Sequence, residues 1–334
     1  MRARPLGRLL TVALAALFLA ASCSSDGDGA AERAPEDDRA DERAAGDDPS
    51  GGHAPGHGHE PVDADAGADV APVRGRGAGM GPQGRVPQFV IECPWSHSAP
   101  DDPIVHPGHP GRAHLHDFFG NTSTDAHSTT ASLVAAGDTS CATKADTAAY
   151  WAPALLRDGE PVRPYTAIAY YRPGLGVDPA TVQPFPEGLV VIAGDQTATT
   201  PQPLDVAAWH CGASPVLHSD PPSCPDTAPL AVRVVFPDCW DGEHLDSDDH
   251  QSHMAYSEDG TCPRSHPVPV PQLIFEVRYP VTGDPAGLAL ASGGVRSLHA
   301  DFMQAWDQAG LEREVEVCLN GQRVCGVVSN RATG

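Results

Sequence analysis

The chain has 334 residues, with 44 acidic and 21 basic side chains and a net charge of −23. A chain this acidic is poorly suited to neutralising phosphates, which argues against nucleic acid and anionic membrane surfaces as partners. It also contains 34 Gly and 34 Pro with only 6% aromatic residues, which argues against a helix bundle or a long coiled coil. The composition favours strands and loops.

The N-terminus has the pattern of an export signal. Three arginines precede an apolar run at residues 9–21, which is short for a membrane span and typical of a secretory signal. Small residues stand directly before Cys23, as in bacterial lipoproteins, whose corresponding cysteine is lipidated. We therefore expect removal of residues 1–22 and lipidation of Cys23. The mature protein would lie on the extracellular face of the cell membrane, touching the membrane only through this lipid anchor; plain secretion is the alternative.

Residues 23–80 are predicted to form a disordered acidic tether. Between residues 24 and 70 there are 14 acidic and 3 basic side chains and almost no large apolar ones. Such a segment cannot bury enough surface to offset the entropy lost on ordering. The folded domain is therefore expected over residues 86–328.

The cysteines other than Cys23 indicate disulfide bonds. They number eight: Cys93, Cys141, Cys211, Cys224, Cys239, Cys262, Cys318 and Cys325. An even number in an exported chain is typical of a disulfide framework. The Cys-x-x-Cys motif that is typical of a structural zinc site does not occur among them. The sequence leaves the pairing open, with a local pair between Cys318 and Cys325 preferred.

The elements predicted along the folded region are mostly strands. Apolar runs typical of strands occupy residues 89–93, 166–171, 188–193, 230–236 and 272–279. One C-terminal helix is predicted over residues 300–316, where Phe302, Trp306 and Ala309 follow helical spacing. We therefore expect a mainly β fold, a disulfide-bonded β-sandwich or jelly-roll-like domain with long loops; a barrel is the nearest alternative.

The first candidate site is the segment His114-Leu115-His116-Asp117. Residues two apart on an extended backbone share a face, so His114 and His116 would present two imidazoles together, as strand-borne metal sites do. Asp117 is a candidate ligand or an acceptor for an imidazole N–H. The alternative is a pair of hydrogen-bonded loop histidines.

The second candidate site is an acidic loop that contains Asp246, Asp248, Asp249, His250 and His253. The two histidines would share a face in a helical turn, with carboxylates beside them. The loop is similar to a calcium loop but lacks the glycine and the distal glutamate of an EF-hand, so calcium is the weaker alternative to a divalent transition metal. A polar loop held by ordinary hydrogen bonds is the structural alternative.

The third candidate site pairs His299, at the start of the predicted helix, with Asp301 in its first turn. This pair is suited to orienting a ligand or a proton donor, although Asp301 alone could simply stabilise the helix start. No serine-hydrolase elbow, His-Glu-x-x-His motif or phosphate loop occurs. The five tryptophans include candidates for a sugar-stacking platform, with core packing as the alternative.

Taken in order, these motifs resemble a family of secreted bacterial and fungal proteins known as DUF1996. The segments that carry the resemblance are Asp102-Pro103-Ile104-Val105, His114-Leu115-His116, Tyr150-Trp151-Ala152-Pro153, Phe236-Pro237-Asp238-Cys239-Trp240-Asp241-Gly242, Ser252-His253-Met254-Ala255-Tyr256 and His299-Ala300-Asp301-Phe302. The resemblance spans residues 94–325. The family often has a small residue where His106 stands and need not have an acid at Asp117. The resemblance identifies relatives and implies no particular reaction.

This residue chemistry leads to the hypothesis of an exported protein that acts on extracellular or cell-wall glycan, for example by metal-dependent hydrolysis. The metal ligands would be His114, His116 and His299. The catalytic residues would be His250, His253, Asp246, Asp249 and Asp301, acting as further ligands or as acid–base groups. The alternative is a non-catalytic module of the cell envelope that binds glycan or metal.

Overall fold

The computed structural model describes residues 86–326. The predicted signal peptide, the predicted lipidation site Cys23 and the predicted tether at residues 23–80 lie outside this range. No helix within it is long and apolar enough to cross a membrane.

The described chain is built mainly from strands. In chain order they are β1 (Gln88–Ala99), β2 (His116–Gly120), β3 (Ala149–Pro153), β4 (Leu155–Arg157), β5 (Glu160–Pro161), β6 (Thr166–Arg172), β7 (Val190–Gly194), β8 (Ala207–Cys211), β9 (Leu230–Val235), β10 (Cys239–Trp240), β11 (Met254–Ala255), β12 (Val268–Pro269), β13 (Gln272–Arg278), β14 (Leu288–Leu290), β15 (His299–Met303) and β16 (Val324–Cys325). The helices are α1 (Thr130–Ala136) and α2 (Gln308–Glu314), with a 3-10 turn at Pro179–Thr181 and a π-helical turn at Val315–Asn320.

One large sheet dominates the fold. Its antiparallel strand order is β7, β15, β3, β2, β1, β6, β13, β9, β8, and β16 pairs with β1 in parallel. Strand β1 joins two halves: residues 89–94 pair with β6, and residues 95–99 pair with β2, with a bulge between Trp95 and His97. We call β2, β3, β15 and β7 the front half, and β6, β13, β9 and β8 the back half.

The two halves pack against each other through their inner faces. Tyr150 of the front half stacks on Phe275 of the back half, with ring centroids 5.6 Å apart, and Phe119 meets the same ring edge-on. Two smaller three-stranded sheets complete the domain, in the orders β11, β10, β12 and β14, β4, β5. The prediction of a mainly β, sandwich-like domain is confirmed.

All five predicted strands are present, as β1, β6, β7, β9 and β13. Strand β13 shows why alternating apolar residues predict a strand here. Leu273, Phe275 and Val277 alternate along it and are buried in the core between the halves. Ile274 interrupts the alternation and is nevertheless buried, because it lies between Tyr170 and Val235 in the register.

The helix predicted over residues 300–316 is wrong in its first part. His299–Met303 is strand β15, bonded to β3 on one side and β7 on the other, and the helix begins only after its N-cap Asp307. Two long-range ladders outweigh the local helical spacing of the apolar residues. His299 and Asp301 therefore lie on the same face of β15, because they are two residues apart on a strand.

Every cysteine within residues 86–326 is paired. The disulfide bonds are Cys93–Cys141, Cys211–Cys224, Cys239–Cys262 and Cys318–Cys325. The preference for a local Cys318–Cys325 pair is confirmed, whereas the other three pairs join residues 13 to 48 positions apart, which spacing alone could not select.

We expect no free thiol in this part of the mature protein, because each of its sulfurs is bonded to another. Alkylation under non-reducing conditions followed by peptide mass spectrometry should find four cystine-linked peptide pairs and no alkylated cysteine within residues 86–326. Two or more alkylated cysteines there would contradict the four-disulfide framework.

Candidate metal centre

Three histidines meet on the outer face of the front half. His116 lies on β2 and His299 on β15, on either side of β3, while His114 lies two residues before β2. Their ring centroids are 4.1 Å apart for His114 and His116, 5.1 Å for His114 and His299, and 5.8 Å for His116 and His299. One ring nitrogen from each lies within 4.8 Å of the other two. The structure thus brings together the three residues that the sequence suggests as metal ligands; metal binding itself stays a prediction.

Backbone carbonyls determine the tautomer of two of these imidazoles. His116 Nδ1 donates to the Asp101 carbonyl at 2.9 Å, and His299 Nδ1 donates to the Ser297 carbonyl, also at 2.9 Å. Because a carbonyl only accepts, the Nε2 atom of each neutral ring keeps its lone pair. Metal-ligating histidines are typically held in this way. The Nε2 atoms of His114 and His116 are buried without a hydrogen-bond partner.

The electrostatics of this site favour uncharged imidazoles. Burial lowers the pKa of His114 and of His299 from 6.5 to about 4, and it lowers the pKa of His116 well below 6.5. Repulsion from neighbouring imidazoles lowers each of these pKa values further. At neutral pH all three rings are therefore in the form that binds a metal ion.

The lowered pKa of His299 predicts a loss of stability in acid. Between pH 6.5 and about 4 the unfolded chain binds a proton that the folded chain excludes, so stability is lost as the pH falls through this window. In metal-free protein, the free energy of unfolding should drop between pH 7 and pH 5. This drop should be about 2 kcal/mol smaller in His299→Gln than in the wild type. Urea unfolding at both pH values measures this. His109→Gln, at an exposed position, is the control, and an equal loss in wild type and His299→Gln would contradict the prediction.

Asp301 and Trp151 add further unpaired polar atoms to this face. Asp301 is 1% exposed, neither of its carboxylate oxygens has a hydrogen-bond partner, and its Oδ2 lies 3.9 Å from His299 Nε2. Trp151, opposite Asp301 in the register, has a buried and unpaired Nε1. With His114 and His116, these atoms make up five of the twelve unpaired buried side-chain atoms in the described residues. A buried polar atom without a hydrogen bond destabilises the folded state, so a cluster of five on one face indicates a candidate binding site.

A loop at residues 101–113 lies over the face. Asp102 Oδ1 accepts hydrogen bonds from the Ile104 and Val105 amides, both at 2.9 Å, and Ile104 packs in a small core with Trp151. His106 follows this turn and lies close enough for its charge to act on Asp102, His114 and His116. The sequence alone predicts no role for Asp102 at this site and makes His106 a weaker candidate than the other histidines. The only local pattern that points to this loop is an Asp-Pro turn before His114 and His116.

His250 and Asp246 form a pair at the rim of the site. His250 Nδ1 lies 2.9 Å from Asp246 Oδ1, and both side chains are partly exposed. His250 has a positive φ of 58°, so its loop is not a helical turn and the helical arrangement considered for His250 and His253 is not present. The charge of His250 acts on Asp102, which places this pair near the three imidazoles.

The other two catalytic candidates of this loop hold its shape. The His253 ring nitrogens contact Ser247 Oγ at 2.9 Å and the Val190 carbonyl at 2.8 Å, so both are occupied. Asp249 Oδ1 accepts hydrogen bonds from Ser247 Oγ and from two backbone amides of the same loop, which lower the pKa of this carboxyl. The catalytic assignment of His253 and Asp249 gains no support from this geometry.

Asp117 lies away from the three imidazoles. As the residue after His116 on β2 it faces the opposite side of the sheet, where its Oδ1 accepts hydrogen bonds from Ser98 and Trp95. Burial raises the pKa of Asp117 to about 6. Three of the five tryptophans, namely Trp151, Trp209 and Trp306, are fully buried, which favours core packing over a sugar platform for them.

Comparison with known proteins agrees with the motifs. A sequence model of the family described as "Domain of unknown function (DUF1996)" matches residues 102–306, which is more than half of the chain and contains His114, His116, His299 and Asp301. No curated protein and no solved structure gives a significant match. The chain therefore belongs to the DUF1996 family.

Proposed function

We propose that this domain binds a divalent transition metal ion through His114, His116 and His299 and uses it to hydrolyse an extracellular glycan. The observation that carries the metal site is the convergence of three neutral imidazoles, with the Nδ1 atoms of His116 and His299 bound to backbone carbonyls. Three histidines with a remaining position for water are the ligand set of several catalytic zinc sites, so Zn²⁺ fits. Calcium does not, because it prefers oxygen ligands.

The chemistry supplied by such an ion would be activation of water. In zinc enzymes the bound ion lowers the pKa of its water to about 7, and Zn²⁺ held here would in the same way make hydroxide available at neutral pH. The His250 and Asp246 pair supplies a nearby acid–base group, whose imidazole is oriented by the Asp246 carboxylate. The export pattern and the four disulfide bonds support an extracellular location, where polysaccharide is within reach.

A metal-binding module without catalysis is the second candidate, favoured by one observation. His116 and His299 are 0% and 2% exposed, and only His114 is partly exposed. An ion held there would be reached from the side of His114 alone, which restricts the approach of a polymer.

Elemental analysis and a glycan-hydrolysis screen test the proposal together, on wild type, His250→Ala and the exposed control His109→Ala. We expect about one metal ion per chain in all three proteins. Hydrolysis should fall at least about 100-fold in His250→Ala only, since general acid–base groups contribute about 10²–10⁴-fold.

The possible results separate the candidates. Bound metal without hydrolysis of any glycan would support the non-catalytic module. Equal activity in wild type and His250→Ala would refute a role for the acidic loop. Wild-type protein that binds no transition metal would overturn both candidates.

A further inference from the structure

Asp301 is the exception among the buried aspartates. The described residues contain five of them, Asp102, Asp117, Asp146, Asp238 and Asp301. Asp102 and Asp238 accept backbone amides, Asp117 accepts two side-chain donors, and Asp146 accepts the Tyr150 hydroxyl. Only Asp301 has neither oxygen hydrogen-bonded. A buried carboxyl group in that condition is either neutral or paired with a cation.

The side of His299 that faces Asp301 decides what this carboxylate can do. A carboxylate that only orients a metal-ligating histidine accepts a hydrogen bond from the ring nitrogen that does not bind the metal. In His299 that nitrogen is Nδ1, and the Ser297 carbonyl already occupies it. Asp301 Oδ2 instead lies 3.9 Å from Nε2, the nitrogen with the lone pair. The carboxylate is therefore on the ligating side of the ring.

The distances allow one ion to bind both groups. Two atoms that are each about 2.1 Å from one ion lie at most about 4.2 Å apart, and the observed separation of 3.9 Å is within this limit. The group with ligand atoms mutually within 4.8 Å contains the three histidines without Asp301. Binding would therefore draw the carboxylate inwards by rotation of its side chain, which no hydrogen bond restrains.

The charges around Asp301 also call for a cation. The neighbouring charge that acts on it is a second carboxylate, that of Asp102. The adjacent residues on its own sheet face, Trp151 and Ile192, bring no positive charge. Three neutral imidazoles leave both charges of a divalent ion uncompensated, and two nearby carboxylates would balance them.

We propose that Asp301 is the fourth protein ligand of the metal ion, so that the centre consists of three imidazoles and one carboxylate. This inference depends on the metal site proposed above. It assigns Asp301 to the ion itself and not to proton transfer. A carboxylate among the ligands also widens the range of suitable ions beyond zinc to harder divalent metals such as manganese and iron.

Titration of metal-free protein with Co²⁺, followed by visible absorption, tests the proposal on wild type, Asp301→Asn and Asp117→Asn. Asp117 is the matched control, a buried aspartate on the opposite side of the sheet. We expect Asp301→Asn to bind Co²⁺ at least about 10–100-fold more weakly, since losing even an outer partner of a ligand costs this much, and with shifted ligand-field bands, because a ligand has changed. Asp117→Asn should reproduce the wild-type spectrum.

Each other result is decisive. An unchanged spectrum in Asp301→Asn, with or without weaker binding, would place Asp301 outside the coordination shell and overturn the inference while leaving the three-histidine site intact. Absence of Co²⁺ binding by the wild type would overturn the metal site as well.

Thermal unfolding without metal shows that the variants remain folded. Asp301→Asn breaks no hydrogen bond, so its melting temperature should equal or exceed that of the wild type, whereas Asp117→Asn should melt lower because Asp117 bonds Ser98 and Trp95. A melting temperature of Asp301→Asn well below that of the wild type would show that its carboxylate has a structural partner and contradict the inference.

Discussion

Replacing His116 with alanine should abolish the stabilisation of this domain by zinc. His116 is the most buried of the three imidazoles, its ring is aligned by the Asp101 carbonyl, and its Nε2 atom has no other partner. An ion present at about 1,000 times its dissociation constant stabilises the folded state by about 4 kcal/mol. For a domain of this size that is a rise of roughly 10 °C in melting temperature. Without His116 two imidazoles and the Asp301 carboxylate remain; a loss of about 1,000-fold in affinity leaves the ion near its dissociation constant, where it stabilises the fold by only about 0.4 kcal/mol, so we expect a rise near zero.

His210→Ala is the matched control for this experiment. His210 is also a buried histidine whose ring nitrogens lack hydrogen bonds, but it lies on β8 in the back half, 3.5 Å from Glu276. Both alanine variants create a cavity and lower the melting temperature without metal. Differential scanning fluorimetry with and without Zn²⁺ therefore compares the metal-dependent rise alone. A wild-type rise retained in His116→Ala, or lost in His210→Ala, would contradict the site.

Local sequence patterns were sufficient for five of the strands and for two of the four residues of the proposed metal site. His114 and His116 lie two residues apart where the chain enters β2, so spacing alone predicted that their rings meet. His299 joins them only because β15 pairs with β3, a contact between residues about 150 positions apart. The same pairing makes residues 300–303, predicted to be helical, part of a strand, since local spacing carries no information about distant partners.

The acidic loop shows the opposite limit of sequence reasoning. Its aspartates and histidines look like ligands because of their residue types, yet His253 and Asp249 are used to hold the loop against β7 and against itself. Residue type cannot distinguish a carboxylate that accepts its own backbone amides from one that is free to bind an ion. What distinguishes Asp301 from the aspartates of the loop is that neither of its carboxylate oxygens is hydrogen-bonded, which only the structure shows.

Gly194→Ala should damage both the fold and the metal site. Gly194 ends β7 with a φ of 82° and pairs with His299, and a Cβ atom there would lie 2.5 Å from the Leu298 carbonyl oxygen and 2.9 Å from His299 Cα. Both contacts are with backbone, which cannot rotate away, so β15 must shift. Overpacking costs about 1–3 kcal/mol and a left-handed backbone about 1–2 kcal/mol, so we expect a loss of roughly 3 kcal/mol.

Gly159→Ala separates the two costs of this substitution. Gly159 has nearly the same φ, 86°, but a Cβ atom there meets nothing within 4 Å. It should therefore show the backbone cost alone, about 1 kcal/mol, and bind metal like the wild type. In Gly194→Ala the displaced β15 carries His299 and Asp301 with it, so Co²⁺ affinity should fall together with the free energy of unfolding in urea. Equal stability and equal affinity in the two variants would show that the contact between Gly194 and β15 does not position the site.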